Sequence, residues 1–471
     1  MSDAVIVGSG PNGLTAAVIL AQSGVRVTVL EAADEIGGGT RSAELTVPGL
    51  LHDVCSAVHP MGVASPVFAQ LGLDEYGLEW CYPEIDLAHP LDGGRAGILR
   101  RNMDATVAGL GVDGASWRRL FERFAVGFAQ LNEDVLRSML HVPKHPIRLA
   151  SFGTRALLPA TAVAHRFKTD EARGLFGGAA AHAFRPLNSI GSASVGLALV
   201  TSAHAVGWPV PKGGSRAISD ALAAKLAAHG GRIETGVRVR DLSELPSGAT
   251  VLLDTSPTDA LHILGDRLPA RVRRAYQRYR YGPASFKVDF AVQGGIPWAN
   301  EDVRRAGTVH LGGSFEEFAA AERDVAAGRM PQRPFTLVAQ QYLADPSRSS
   351  GDIHPIWAYA HVPHGYDGDA TEAVLNQIER FAPGTRERIV GIATKSPAEL
   401  ERMNPNYIGG DIVCGANDLW QVIVRPRLAV NPYATGVRGV YLCSAATPPG
   451  AGIHGMCGLH AATVALRHIT G

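Results

Sequence analysis

Cysteine is sparse in this chain and never paired at short spacing. The five cysteines, Cys55, Cys81, Cys414, Cys443 and Cys457, are odd in number and include no Cys-x-x-Cys, so neither a disulfide framework nor a dithiol redox centre follows. An excess of one charge is also missing, because Lys plus Arg and Asp plus Glu both number 44. That balance removes the long-range electrostatic case for nucleic acid, or for an anionic membrane surface, as a partner. No apolar run approaches the roughly 20 residues that span a bilayer. The chain opens into Ala4-Val5-Ile6-Val7 without a basic leader or apolar h-region, so a cytoplasmic location is expected. Gly-x-Ser-x-Gly, His-Glu-x-x-His and P-loop patterns are absent, which leaves hydrolase and kinase mechanisms unsupported. His141/His145 and His361/His364 have ligand-like spacing, but proline interrupts each pair. No metal is expected.

What remains is an ordered globular chain of 471 residues, 46% hydrophobic and 19% charged, long enough for two or three domains. Residues 4–31 read AVIVGSGPNGLTAAVILAQSGVRVTVLE. A buried strand (Ala4 to Val7) meets Gly8, Gly10, Pro11, Asn12 and Gly13. A helix then runs from about Asn12 to Gln22, and Gly24 stops it before a second strand, Val25 to Leu30. Gly8 makes the tight turn, Gly10 lets a pyrophosphate approach the backbone, and Gly13 permits close helix–strand packing. The helix N-terminus offers free N–H groups to phosphates. Glu31 stands where a carboxylate accepts from a ribose hydroxyl.

A second GxGxxG, Gly109-Leu-Gly111-Val-Asp-Gly114, shows how little the glycines mean alone. It follows a short capped helix rather than a strand, so it reads as a loop before the helix near Trp117. One true unit is present, whereas a reductase holding both FAD and a nicotinamide would show two.

After Glu31 and Ala32, the Gly37-Gly38 pair lies in the frame E-x5-GG, followed by Gly39, Thr40 and Arg41. This segment resembles the second flavin signature of glutathione-reductase-like FAD proteins, in the phytoene desaturase and amine oxidase branch. Pro209 to Leu242 is similar to that branch's central motif, with an expected strand around Val237 and Val239 holding the adenosine end. Val440 to Leu466 resembles its C-terminal motif, in which Ala445, Gly452, Ile453 and His454 face the cofactor. The Gly450-Ala451-Gly452 stretch lets backbone approach a planar ring, and the helix opening near His454 to Gly458 directs N–H groups and dipole at it. HDVCSAVHP (52–60), GWPVPKGGS (207–215), FKVDFAVQGGIPW (286–298) and IWAYAHVP (356–363) resemble the branch related to pyridine nucleotide-disulfide oxidoreductase domain-containing protein 2.

The resemblance implies an α/β, glutathione-reductase-like Rossmann domain binding FAD, with an inserted domain of mixed sheet plus helices. Two departures stand out. Gly39 occupies a position where many relatives carry Arg, with Arg41 as a substitute cation for the pyrophosphate or a surface residue. Cys443-Ser444-Ala445 replaces the Gly-Asp pair of more distant flavoproteins.

The expected organisation is a discontinuous flavin domain, residues 1–65, 205–285 and 405–471, and a substrate domain with a helical cap, residues 66–204 and 286–404. The first insert reads as mainly helical, for example Trp117 to Leu140. The second has strand-like runs at Ser285 to Val292, Phe335 to Gln341 and Ile356 to Val362. The small, apolar segment Thr161 to Ala203 reads as core, or as the wall of a substrate tunnel.

Flavin chemistry places the electron sink on the cofactor, leaving the protein to orient a substrate and move protons. Lys287 is the first catalytic candidate, by resemblance to the lysine that approaches flavin N5 through water in amine-oxidase-type enzymes. Against it stands pairing with Asp289 at a surface, since side chains two apart share a strand face. His59 and His361 are further catalytic candidates. Trp357, Tyr359 and His361 form one stripe, and with His182 they are candidates to meet substrate. The expected reaction is FAD-dependent oxidation of a small or lipid-like, largely apolar substrate, as dehydrogenase, desaturase or oxidase. The alternatives are an amine oxidase, a flavin-dependent isomerase, and a non-catalytic escort-type carrier of lipid-like groups. No nucleic-acid partner is expected, nothing in the sequence supports peripheral membrane contact, and the oligomeric state stays open.

Overall fold

Five short strands, mostly apolar, build the sheet that carries the glycine turn. The computed structural model describes residues 3–470. Its first sheet has the order Val440–Leu442, Thr250–Leu253, Asp3–Val7, Arg26–Leu30, Arg232–Glu234, with all neighbours parallel. Register aligns Val7 with Leu253 and with Leu30, and Leu253 with Leu442. The residues that leave the strands, Gly8, Glu31, Asp254 and Cys443, therefore emerge side by side at one edge. In open parallel sheets, that carboxyl-end crevice is where ligands bind. Helix Pro11–Gln22 covers one face, packed against helix Met456–Thr470. The two helix backbones come so close that a Cβ on Gly458 would collide with the Asn12 carbonyl.

The expected strand at Val237 and Val239 is corrected. The strand ends at Glu234, and residues 237–240 are irregular. Gly236 takes a φ of 71° and turns the chain, so Val237 donates its N–H to the Glu31 carbonyl at 2.8 Å instead of extending the ladder.

A second, seven-stranded sheet has the order Ile389–Lys395, Ala284–Gln293, Ile353–Val362, Thr336–Ala339, Ala306–Leu311, Ile85–Pro90, Ala96–Leu99. Only the Ala306–Leu311 and Ile85–Pro90 pair is parallel. Two strands thus come from the insert expected to be mainly helical. Alternation divides the sheet's work. Phe286, Val288, Phe290, Ile356, Ala358 and Ala360 enter a hydrophobic core with Val374 and Ile378. The opposite face carries Lys287 against Tyr359 and Asp289 against Trp357, in register.

The second GxGxxG spans the end of helix Met103–Gly109, a 3₁₀ turn and the start of helix Gly114–Val126. Helices Asp170–Ala181 and Ala193–Val206, from the Thr161 to Ala203 segment, pack into a core with Trp117 and Phe121. Gly174 and Gly178 on the first of them leave room for the imidazoles of His89 and His310, where any Cβ would clash.

Candidate functional site

A groove of about 520 Å³ opens along the crevice edge of the parallel sheet. Gly8, Gly10, Pro11 and Asn12 line it from the first turn, and Glu31, Ala32, Gly38, Gly39 and Arg41 from the second. Val237 to Arg240, Asp254, Tyr407, Cys414, Ala445, Gly452 and Ile453 complete it. Residues far apart in sequence meet here because four parallel strands end at one level.

The backbone at the turns is built for close approach. Gly8 sits at φ 103° and Gly37 at 108°, conformations that favour glycine. A Cβ on Gly10 would stand 2.6 Å from the Asp254 carboxylate, and one on Gly38 3.1 Å from the Gly10 Cα. The Asn12 amide oxygen is buried without a partner. A cradle that side chains would fill, set at the positive end of a helix dipole, suits a dinucleotide's phosphates.

Glu31 is buried and already engaged, accepting from the Ser9 N–H at 2.9 Å, the Ser9 hydroxyl at 2.6 Å and the Ala33 N–H at 2.9 Å. With Arg41 donating at 3.5 Å these contacts fill the roughly four acceptor positions of a carboxylate, so a ribose hydroxyl would share or displace the long Arg41 contact. Thr40 lies outside the groove lining, and its hydroxyl donates to the Gly37 carbonyl at 2.8 Å. It shapes the loop. Arg41 is neither a surface residue nor free: it donates to the Glu35 carbonyl at 2.7 Å and the Met403 carbonyl at 3.2 Å, and lies 3.5 Å from Glu31. Gly39 is explained by Tyr407, whose hydroxyl takes the space a Cβ there would need.

Asp254 was missed by sequence reasoning. Its carboxylate accepts from the Gly13 N–H at 3.0 Å and abuts Gly8, Gly10 and Gly13. Burial, reinforced by the Glu31 charge, holds this acid far above the ordinary aspartate range. The available signal was an apolar strand ending in an acid before Ser256-Pro257, a helix N-cap whose side chain accepts from the Asp259 N–H. Asn406 locks this corner, accepting from the Ser256 N–H at 2.7 Å and donating to the Asp254 carbonyl at 3.0 Å.

At the C-terminal loop, Gly452 has φ 149° and Ile453, at φ 53°, is a non-glycine in the left-handed region. His454 is buried, its Nδ1 accepts from the Met456 N–H at 3.1 Å, and burial lowers its pKa to about 4. The neutral ring caps the helix start instead of reaching the groove lining.

Lys287 forms an ion pair with Asp289, as their shared strand face allows, but in the interior rather than at a surface. Its ammonium lies 5.5 Å from the Trp357 ring centre, and the Trp357 indole N–H donates to the Cys55 carbonyl at 2.8 Å. Cys55 packs with Tyr407, Cys414 and Ala445, which line the groove. Lys287 thus stands two side chains behind the groove wall. Burial, opposed by Asp289, lowers its pKa.

His59 Nε2 lies 2.7 Å from the Ser215 hydroxyl, which itself donates to the Ser56 carbonyl at 2.7 Å. With that single proton committed, His59 Nε2 must donate, leaving Nδ1 a bare, buried acceptor without a partner. Burial lowers this imidazole to about 4. His361 Nδ1 is 2.7 Å from Glu322, while its Nε2 is unpartnered. Trp357, Tyr359 and His361 do share one face, with ring centres 5.1 and 5.6 Å apart, and Phe184 stacks on His361 at 3.9 Å. His182 lies elsewhere in this wall, its Nε2 2.9 Å from that of His310.

Comparison with known proteins agrees with this geometry. Residues 12–318 match the family described as flavin containing amine oxidoreductase. The rat pyridine nucleotide-disulfide oxidoreductase domain-containing protein 2 is 23% identical, across 99% of this chain and 94% of its own. Hydroxyneurosporene desaturase from Rhodobacter capsulatus is 26% identical, across 96% of this chain and 94% of its own. Among solved structures, putrescine oxidase bound to putrescine superimposes with a TM-score of 0.63 at 17% identity, covering 100% of this chain and 99% of that one. Cyclohexylamine oxidase from Brevibacterium oxydans gives 0.56 at 15% identity, over the full length of both. With a groove shaped for a dinucleotide and a family match over most of its length, this chain belongs to the flavin containing amine oxidoreductases and is an oxidoreductase with FAD as its cofactor.

Proposed function

We propose that the enzyme removes hydrogen from a largely apolar, lipid-like organic substrate, as a dehydrogenase, desaturase or oxidase. When bound, the flavin supplies the acceptor for the hydride at N5. The protein's part is to hold the substrate, exclude water and manage a proton.

The observation carrying this reading is the wall behind the groove. Phe184, Trp357, Tyr359, Leu337 and Ala57 cluster there with Ile412, which also lines the groove. Its acids are already engaged, Asp289 by Lys287 and Glu322 by the His361 ring nitrogen at 2.7 Å. No unpaired carboxylate stands among these residues to anchor an ammonium, and an uncharged substrate suits such a wall. In this reading His361 Nε2 and His59 Nδ1 are the proton acceptors and Lys287 tunes the region through Trp357. Residues 1–65, 205–285 and 405–471 serve as the flavin domain and 66–204 and 286–404 as the substrate domain, a division the two sheets support. Among the described residues no helix is long and apolar enough to cross a membrane, and we place the enzyme in the cytoplasm.

The amine oxidase reading stays second, favoured by the family match. Anaerobic bleaching of the yellow protein separates the two. Bleaching by apolar lipids or polyenes and not by amines is the expected result. Bleaching by primary amines alone would overturn it, and product formation without bleaching would mark an isomerase. A colourless protein that refuses added FAD would mark a carrier.

A further inference from the structure

The charge balance of the whole chain conceals a segregation. No Asp or Glu occurs between Asp134 and Asp170, a stretch holding Arg137, Lys144, Arg148, Arg155, Arg166 and Lys168. None occurs after Asp418, where Arg425, Arg427, Arg438 and Arg467 lie. These two acid-free stretches meet in space. His460 lies 2.9 Å from the Leu136 carbonyl. Leu157 accepts from the Gly191 N–H at 2.9 Å, and a Cβ on Gly191 would touch Leu419 at 3.6 Å.

Their shared face is apolar in the wrong direction for a protein in water. Helix Leu419–Val424 is inside out: Gln421 is its buried residue, bonded to the Arg280 and Ala416 carbonyls, while Trp420 is 65% exposed. Helix Pro146–Ala156 buries Phe152 alone and leaves Ile147 85% exposed. Val142 and Val430 are 89% and 88% exposed. Large apolar side chains grouped with Arg and Lys, with the acids at the margin held in ion pairs, Glu133 by Lys144 at 3.0 Å and Asp418 by Arg280 at 2.6 Å, form the pattern of an interfacial surface that inserts below a layer of anionic headgroups.

We propose that this face, residues 136–157 with 419–430, docks the enzyme on an anionic lipid bilayer. The face adjoins the cofactor loop, since Arg425 stands 2.8 Å from where a Gly450 Cβ would be. Segregation corrects the expectation drawn from net charge alone: attraction to a surface within about 10 Å depends on the facing charges, not on the total. The proposal holds whether the substrate is a lipid or an amine.

Co-sedimentation of the holoenzyme with phosphatidylcholine vesicles, with and without phosphatidylglycerol, tests it. Binding at least about tenfold tighter to the anionic vesicles, and weakened by salt, is expected. The paired substitutions Trp420→Ser and Ile147→Ser should abolish it without changing flavin absorbance or circular dichroism. Trp420 is the exposed tryptophan, so brominated lipids should quench the unmodified protein's solvent-exposed emission. Absence of pelleting, absence of quenching, or pelleting indifferent to both substitutions would overturn the proposal. So would a dimer that dissociates on those substitutions while the native protein ignores vesicles, because a second copy would then cover the face.

Discussion

The Asp254 carboxylate and the Gly13 N–H meet at 3.0 Å across the glycine turn, joining a strand end to a helix start 241 residues away in sequence. The acid occupies the corner where a diphosphate must approach, in a site that already contains Glu31. Its elevated pKa follows from burial first, with Glu31 adding repulsion.

A neutral replacement is therefore expected to be harmless and an empty one costly. Because the folded pKa lies above the unfolded 3.8, the folded state binds the extra proton and stability falls as pH rises through that interval. Asp254→Asn should keep FAD and weaken the pH dependence of its binding to apoprotein. Asp254→Ala leaves the Gly13 N–H unpaired, at about 1–3 kcal/mol. Flavin titration of apoprotein between pH 5 and 9 compares the three.

Gly39 and Tyr407 should behave as a coupled pair. Gly39→Ala forces the Tyr407 hydroxyl aside and should destabilise by about 1–3 kcal/mol. In Tyr407→Phe the hydroxyl is gone, so the same Ala should cost much less. A double-mutant cycle by urea denaturation measures the coupling, and additive effects would show that the two do not compete for space.

Lys287→Met is expected to retain flavin and to slow either its reduction or its reoxidation. Because Asp289 would be left as a buried, uncompensated charge, stability should also fall by about 3–5 kcal/mol. Adding Asp289→Leu should restore stability but not the rate. Unchanged rates in both half-reactions would confine Lys287 to structure.

Several interior histidines make the fold acid-sensitive. Burial lowers His59, His89 and His454 from 6.5 to about 4 and His182 to about 3. Above pH 6.5 these rings are neutral folded or unfolded. As pH falls from 6.5 towards 4 the unfolded chain binds protons that the folded one refuses, so stability drops, by up to about 3 kcal/mol for each fully buried ring. Below about 4 three of the four contribute no further slope. Denaturation curves at pH 7.5 and 5.5 should differ accordingly. His89→Gln, which can still donate to the Gly313 carbonyl that His89 faces at 2.8 Å, should flatten the slope.

Local pattern made the nucleotide-binding half of the protein readable. The strand, turn and helix around Gly8 to Gln22 form where their sequence places them, because glycine freedom, a proline at the helix start and apolar runs all act within a few residues. The stripe Trp357, Tyr359, His361 was legible for the same reason, since strand alternation has a fixed period. Where contact partners lie far off, the sequence was silent. Asp254 gained its role only when parallel register set it beside Gly13, and Val237 looked like strand until the Glu31 carbonyl claimed its N–H. Strand Ile85–Pro90 hid in a helical insert because it joins the sheet through Ala306–Leu311, over 200 residues away, and Ala96–Leu99 only extends it as an edge hairpin.

The amino-acid order alone determined that a dinucleotide turn exists, that one such unit is present, and that no dithiol takes part, because these depend on neighbours in the chain. Tertiary structure decided that Lys287 is held by Asp289 within the interior, that Tyr407 stands over Gly39, and that two acid-free stretches form one face. Those are relations in space between distant segments, and burial and packing set them only once the sheets have brought the segments together.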